Sequence, residues 1–166
     1  GGSVVPFVPH RVRDGYDFSA SGLAAARAAD ADLIITVDCG TLAHTTVTSA
    51  NEAGVDVIVT DHHSVGATLP DAVAVVNPQR EDCDYPDTSL CGTGVAFRVA
   101  ELVGKEMGHP IDDLVGMLDL VALATGADLV PLRSENRALV RLGLRRLATT
   151  DSVGLRALFR VADVDP

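Results

Sequence analysis

The chain has 166 residues, 47% of them hydrophobic, which is enough for one ordinary domain with a substantial core. Its net charge of −10 argues against binding nucleic acid over the whole surface, because that mode of binding needs a positive field. A local site is still compatible with this charge, since bound divalent cations reverse the potential around them. No apolar run approaches the roughly 20 residues that span a bilayer, and no secretory signal opens the chain. We therefore expect a cytoplasmic protein with no membrane partner.

The N-terminal part predicts a strand, a loop and a helix. Residues 4–8 are an apolar run interrupted by a proline, which cannot donate to a β-ladder, so we expect an edge strand. Residues 9–16 indicate a loop. A helix capped by Ser19 or Ser21 then runs to about Ala29.

A strand-helix-strand unit follows. Leu33–Val37 and residues 55–60 are apolar, β-branched runs typical of strands buried on both faces, and a helix over about Leu42–Ala53 connects them. Such units are nearly always parallel. Asp38 follows the first strand and Asp61-His62-His63 follow the second, so we expect both groups at the same edge of the sheet. A lone histidine is more often structural, as we expect for His10, His44 and His109, but the pair opposite Asp38 indicates a metal site.

The remainder of the chain predicts one more strand and then helices. The strand covers 72–76 and is closed by Asn77-Pro78, and a polar loop occupies 79–89. Helices are predicted over 92–107, 112–125, 134–147 and 152–159. The fold class is therefore α/β, with a doubly wound, mainly parallel, Rossmann-like sheet followed by a helical segment.

Three further features of the sequence each permit two interpretations. Asp128 lies in an apolar stretch, where burial would be costly without a cation, but its carboxylate could also cap a helix terminus. Four arginines recur at four-residue intervals and could follow a nucleic-acid backbone, although a solvated or interdomain face is favoured; they are Arg133, Arg137, Arg141 and Arg145. Cys39, Cys83 and Cys91 lack CxxC spacing and are expected to be reduced thiols.

Motifs distributed along nearly the whole chain resemble those of a known family. They are Asp38-Cys39-Gly40, Asp61-His62-His63 and Ala124–Leu132, flanked by Pro9-x-Arg11-x-x-x-Gly15-Tyr16 and Val76-Asn77-Pro78. Together they resemble the DHH phosphoesterase superfamily, and within it the RecJ-type single-strand-specific 5′→3′ exonucleases. The order of the motifs, and the element on which each is predicted, make the resemblance specific.

The resemblance implies a set of metal ligands. Asp38 would bridge two divalent cations, Mn²⁺ or Mg²⁺, while His62 and Asp128 would ligate one of them. Asp61 would accept the second N–H of an imidazole and so orient it.

The resemblance also implies contacts with the substrate. His63 would meet the scissile phosphate or its leaving oxygen, and Arg11 would bind phosphate with its planar guanidinium. Asn77 is a further candidate for substrate binding. Gly92 and Gly94 could present backbone amides to a phosphate at a helix N-terminus, although tight packing explains them equally well.

The implied activity is two-metal hydrolysis of single-stranded DNA from its 5′ end, in DNA repair and recombination, with helicases or single-strand-binding proteins as possible partners. The family's first motif, Asp-x-Asp after a strand, has no match in residues 1–37. We therefore expect residues 1–132, with their helices over 93–125, to be a partial catalytic domain. Residues 133–166 would be a helical connector toward a missing C-terminal domain. The isolated chain, with an incomplete two-metal site, would be nearly inactive.

Two alternatives remain open at this point. The chain could belong to another DHH phosphoesterase, acting on pyrophosphate or on short oligonucleotides. It could also be a non-catalytic module that binds a nucleotide or a partner, as the missing first motif would suggest.

Overall fold

A computed structural model describes residues 2–165. The chain divides into two compact units, residues 1–85 and 86–166. The helices and strands are α1 (Arg11–Asp14), α2 (Ala20–Ala28), β1 (Leu33–Val37), α3 (His44–Glu52), β2 (Asp56–Thr60), β3 (Ala74–Val76), α4 (Gly92–Glu106), α5 (Asp112–Val115), α6 (Leu118–Ala127), α7 (Ser134–Leu147) and α8 (Val153–Ala162). None of these helices has the length and apolar character that crossing a bilayer requires.

The first unit contains a parallel sheet with the strand order β1-β2-β3. Ile35 pairs with Ile58 in the first ladder, and Ile58 pairs with Ala74 in the second. Helix α3 connects β1 to β2, which is the predicted strand-helix-strand unit. The α/β class, with a parallel sheet followed by helices, is confirmed.

The core of this unit lies between the central strand and α3. Val57 and Val59 of β2 are completely buried, as are Val47 and Ala50 of α3. Burying an aliphatic side chain of this size stabilises the fold by about 1.5–3 kcal/mol. Strand β2 is therefore the element to which the rest of the unit is anchored.

Strand β1 does not match the prediction of burial on both faces. Leu33, Ile35 and Val37 are exposed, with Ile35 at 55%. The reason is position in the sheet: β1 has one neighbouring strand among residues 2–165, whereas β2 has two. An apolar, β-branched sequence is shared by both strands and does not distinguish them.

The N-terminal predictions were partly wrong. Residues 4–8 form no strand, and the apolar side chains among them are exposed. Prolines at positions 6 and 9 remove two backbone donors, so this stretch is a poor strand to pair. The predicted loop over 9–16 contains the short helix α1, and His10 caps it by accepting a hydrogen bond from the N–H of Arg13 at Nδ1, at 3.3 Å.

The second unit is helical, and α6 packs against α7. A Cβ on Gly143 of α7 would overlap the carbonyl oxygen of Leu118 on α6, so only glycine permits this approach. The helix predicted over 112–125 is instead two helices, α5 and α6. They are separated at Gly116 and Met117, where the N–H of Met117 bonds the carbonyl of Leu114 in a tighter turn.

Candidate metal centre

The ends of β1 and β2 place Asp38 beside His62. Val37 pairs with Thr60 in the parallel ladder, and the N–H of Asp38 continues the ladder by donating to the carbonyl of Thr60 at 2.9 Å. Asp38 itself has a φ of 63°, a left-handed conformation in which non-glycine residues often mark functional sites. Its Oδ1 atom lies 3.1 Å from Nε2 of His62. The structure thus brings together the two groups predicted to share one edge of the sheet.

The turn after Asp38 depends on Gly40. Gly40 has a φ of 111°, and a Cβ there would lie 2.7 Å from Oγ1 of Thr36 and 3.1 Å from Val59. The hydroxyl of Thr36 also donates to the carbonyl of Cys39 at 2.7 Å. The Asp38-Cys39-Gly40 turn therefore folds closely over β2, which holds the carboxylate of Asp38 at the site.

Asp61 is a buried carboxylate surrounded by donors. It is 2% exposed and accepts hydrogen bonds from the backbone N–H groups of Thr41 at 3.0 Å, His62 at 2.8 Å and His63 at 3.2 Å. Nδ1 of His63 lies 2.6 Å from its Oδ1 atom. Burial by itself raises the pKa of Asp61, but the hydrogen bonds from Thr41, His63 and His62 outweigh it and hold the pKa below its usual value.

The ionised Asp61 determines which nitrogen of His63 carries the proton. A carboxylate can only accept, so Nδ1 of His63 is protonated and Nε2 presents a lone pair. The hydroxyl of Tyr16 lies 2.9 Å from that Nε2 atom and 3.4 Å from the carbonyl oxygen of Asp38. Partial burial and the charges of Asp38 and Asp61 raise the pKa of Tyr16, so its hydroxyl is protonated at neutral pH and donates to His63.

Arg11 contacts Tyr16, which in turn contacts His63 at the site. Its guanidinium carbon lies 4.9 Å from the centroid of the Tyr16 ring, which is within the range of a cation–π contact. Both side chains are exposed. Arg11, Tyr16 and His63 therefore form a connected series from solvent to the site.

Asn77 and Gln79 lie behind the two histidines. Asn77 is 2% exposed, and its Nδ2 atom donates to the carbonyl of His63 at 2.9 Å and to Oγ1 of Thr41 at 3.0 Å. Its Oδ1 atom accepts from the backbone N–H of Gln79, and the Gln79 amide donates to the carbonyl of His62. The predicted contact between Asn77 and substrate is not favoured by this placement, because the amide is buried and already hydrogen-bonded. Asn77 instead positions the backbone that carries the histidines.

Asp38, His62 and His63 form a group that could hold a metal ion. One donor atom from each lies within 4.8 Å of the others. The side chain of His62 is mostly buried, while those of Asp38 and His63 are open to solvent. The neighbouring Cys39 is a free thiol, and burial together with nearby carboxylates raises its pKa to about 11, so it keeps its proton at neutral pH.

The other predicted site residues lie in the second unit. Asp128 is at the C-cap of α6 and is exposed, a position that agrees with the helix-terminus interpretation and not with burial among apolar residues. The helix ends there because Leu129 adopts a left-handed φ of 57°. Gly92 and Gly94 are buried at the start of α4, and a Cβ on Gly94 would contact Leu90 at 3.4 Å, which favours the packing interpretation. The assignment of Asp128 as a ligand stays a prediction.

Sequence reasoning assigned no role to three residues that the structure places at the site. Tyr16 belongs to the motif Pro9-x-Arg11-x-x-x-Gly15-Tyr16, and its spacing of five residues from Arg11 is the sequence feature that could have indicated it. Thr41 follows the essential Gly40, and Gln79 follows Asn77 by two residues. Their contacts join segments more than fifteen residues apart in sequence. Local pattern therefore could not show them.

A family model and curated relatives both match the chain. A family model described as "DHH family, N-terminal domain" matches residues 1–125. The single-stranded-DNA-specific exonuclease RecJ of Dickeya dadantii is 43% identical over 176 residues, a match covering 99% of this chain and 31% of that protein. RecJ of Bacillus subtilis is 42% identical, with 96% of this chain and 20% of that protein covered.

Solved structures agree with the sequence comparison. A manganese-bound exonuclease RecJ superimposes with a TM-score of 0.82 at 38% identity, covering 95% of this chain and 39% of that one. RecJ of Thermus thermophilus in complex with Mn²⁺ superimposes with a TM-score of 0.73 at 36% identity, covering 90% of this chain and 22% of that one. The chain thus spans about a third or less of the curated relatives that it matches.

Proposed function

Because the chain belongs to the DHH family, N-terminal domain, we propose that it is part of a divalent-metal-dependent phosphodiesterase that hydrolyses single-stranded DNA from the 5′ end. The observation that carries this proposal is the 3.1 Å separation between Oδ1 of Asp38 and Nε2 of His62 at the ends of two parallel strands. Relatives named single-stranded-DNA-specific exonuclease support the choice of substrate. A role in DNA repair and recombination, with helicase or single-strand-binding partners, rests on the family resemblance.

The donor atoms suit a divalent cation. Two adjacent ligands at about 2.1 Å from an octahedral ion lie about 3 Å apart, close to the spacing between Asp38 and His62. An imidazole in the donor set favours Mn²⁺ over Mg²⁺, which is held mainly through oxygen. When bound, the cation supplies Lewis acidity toward a phosphate oxygen and neutralises developing negative charge.

His63 is better placed to contact the substrate than to bind metal. Its Nδ1–H faces Asp61, and its Nε2 atom faces the hydroxyl of Tyr16 rather than an open ligand position. When His63 takes up a proton, the carboxylate of Asp61 stabilises the resulting positive charge. Nε2–H can then donate to a phosphate or to its leaving oxygen, as the Tyr16 hydroxyl turns to the carbonyl of Asp38.

Arg11 contributes charge for an incoming phosphate. Its guanidinium is exposed and rests on the Tyr16 ring, so the ring orients the guanidinium without neutralising it. A planar guanidinium can form two parallel hydrogen bonds to a phosphate. We therefore assign Arg11 to substrate binding and Tyr16 to positioning both Arg11 and His63.

Titration of the chain with Mn²⁺ in a calorimeter tests the proposed site. Asp38→Asn should weaken Mn²⁺ binding by at least about tenfold, since the amide has no charge to attract the ion. Asp30→Asn is a matched control, because Asp30 is also an exposed aspartate of this unit with a left-handed φ, of 52°. Equal affinities for the two variants would exclude Asp38 as a ligand. Absence of Mn²⁺ binding by the unaltered chain would favour a non-catalytic module.

A degradation assay tests the reaction. With Mn²⁺ and a 5′-labelled single-stranded oligonucleotide, we expect the 166-residue chain to act slowly or not at all. The reason is that the candidate ligand group found among residues 2–165 offers at most three donors, fewer than two cations require. Rapid degradation that Asp38→Asn abolishes would support the activity but contradict the expectation of an incomplete site.

A further inference from the structure

Four arginines form a regular row along α7 in the second unit. Arg137, Arg141 and Arg145 lie at four-residue intervals on the helix, and Arg133 precedes them at its N-cap. All four residues are exposed. We call this set the arginine row.

The packing of α7 keeps the arginine row at the surface. The buried residues of the helix are Asn136, Leu139, Gly143 and Leu147, and Gly143 lies directly against the backbone of α6. Four residues advance about 6 Å along a helix and rotate by only about 40°, so the row runs continuously down a different face. From Arg137 to Arg145 the row advances about 12 Å along the helix and turns by about 80° around it.

The charge of this segment is opposite to that of the rest of the chain. Residues 133–161 contain seven arginines but two acidic residues, Glu135 and Asp151, although the whole chain carries a net charge of −10. Glu135 accepts a hydrogen bond from Nε of Arg98 on α4, so its charge is partly compensated from the neighbouring helix. The segment from 133 to 161 therefore carries a net positive charge on an otherwise acidic protein.

We propose that the arginine row is a docking surface for the sugar-phosphate backbone of single-stranded nucleic acid. Guanidinium groups bind phosphates through paired hydrogen bonds, and their even spacing suits a polymer with regularly repeating charges. The choice of a single strand rests on the proposed function; the affinity for a polyanion rests on the row.

The test measures binding of a fluorescently labelled oligothymidylate of about 15 nucleotides by anisotropy, at about 50 mM salt and with EDTA present. Arg137→Gln combined with Arg141→Gln should weaken binding about tenfold or more. Each contact to a single strand contributes about 0.7 to the slope of log affinity against log salt, so the double variant should reduce that slope by about 1.4. Circular dichroism checks that both proteins are folded.

Arg27→Gln and Arg141→Gln make a matched pair of single variants. Both arginines are exposed on helices, and each substitution removes one positive charge. Arg27→Gln should change affinity by less than about twofold and Arg141→Gln by more. Equal losses of affinity in the two variants would mean that binding depends only on net charge, and would overturn the proposal. Absence of oligonucleotide binding by the unaltered chain would also overturn it.

Two competitors test the identity of the occupant. A duplex of the same length that binds more tightly than the single strand would overturn the assignment to one strand. Polyglutamate that displaces the oligonucleotide at equal charge concentration would indicate an acidic protein partner instead. Because EDTA removes metal from these assays, their failure does not bear on the Mn²⁺ site, and failure of the Mn²⁺ titration does not bear on the row.

Discussion

Strands β1 and β2 are neighbours with similar sequences and opposite surroundings. Val59 of β2 is completely buried, whereas Val37 of β1 is 52% exposed. The same contrast extends to the residues that follow them, since Asp61 is 2% exposed while the side chain of Asp38 is 54% exposed. One half of the candidate site is therefore buried within the core, and the other half is open to ligands. Central position in the sheet, rather than strand sequence, produces the difference.

Replacing the buried carboxylate should have the largest effect. Asp61→Ala leaves the N–H groups of Thr41, His62 and His63 without their acceptor, and should reduce the free energy of unfolding by about 3–5 kcal/mol. Asp38→Asn, at the open half, should cost less than about 1 kcal/mol. Urea denaturation measures both changes. Similar losses would contradict the division into a buried half and an open half.

The pH dependence of stability provides a second measurement on Asp61. Its pKa is lowered in the folded protein, so its ionised form stabilises the fold fully above the ordinary value of 3.8. That contribution is lost as the pH falls through the lowered pKa of the folded state. The stability difference between the unaltered protein and Asp61→Asn should therefore shrink below pH 3.8, since the amide does not titrate. A constant difference would refute the lowered pKa.

The turn that connects the two halves should be nearly as sensitive. Gly40→Ala introduces a Cβ 2.7 Å from Thr36 in a left-handed conformation, and should cost about 3 kcal/mol of unfolding free energy. Gly54→Ala is the matched control, because Gly54 has a φ of 74° but no atom within 4 Å of the added Cβ. It should cost about 1 kcal/mol from backbone strain alone. Equal costs in thermal denaturation would show that the turn does not press against β2.

The strands themselves permit an identical substitution in both environments. Val59→Ala removes buried methyl groups and leaves a cavity, so it should cost about 2 kcal/mol. Val37→Ala at the edge should cost less than about 1 kcal/mol. Urea midpoints at constant m-value provide the comparison. A larger loss for Val37→Ala would mean that β1 is covered in solution.

The smallest expected effect concerns Tyr16. Tyr16→Phe removes one exposed hydrogen bond to His63 and should change the free energy of unfolding by less than about 1 kcal/mol. The ¹⁵N chemical shift of Nε2 of His63 should nevertheless change clearly, because that atom loses its donor. An unchanged shift would show that Tyr16 does not contact His63 in solution.

The parts of the fold that depend on interactions between residues close in sequence were predictable, and those that depend on distant segments were not. Strands β1 and β2 and helix α7 were predictable because an apolar, β-branched run and a helical periodicity are both local features of the sequence. The strand predicted over 4–8 was wrong, since a strand also needs a partner and prolines at two positions hinder pairing. The exposure of β1 depends on how many strands lie beside it, and the sequence of the strand itself does not determine that number.

The residues of the candidate site likewise separate into those that the sequence could predict and those that it could not. The proximity of Asp38 to His62 followed from parallel strand ends, and is confirmed. Tyr16 and Gln79 were not predictable, because each reaches the histidines from a distant segment. For Asp128 the apolar neighbours permitted either burial or a helix terminus, and the residue lies exposed at the end of α6.

The contact between Tyr16 and His63 also makes the site visible by spectroscopy. The chain contains two tyrosines and no tryptophan, so its intrinsic ultraviolet fluorescence arises from Tyr16 and Tyr85. In a Tyr85→Phe variant the remaining fluorophore is a phenol hydrogen-bonded to the histidine at the centre of the site. Its emission would follow, without any attached dye, whatever ion or phosphate displaces the hydroxyl.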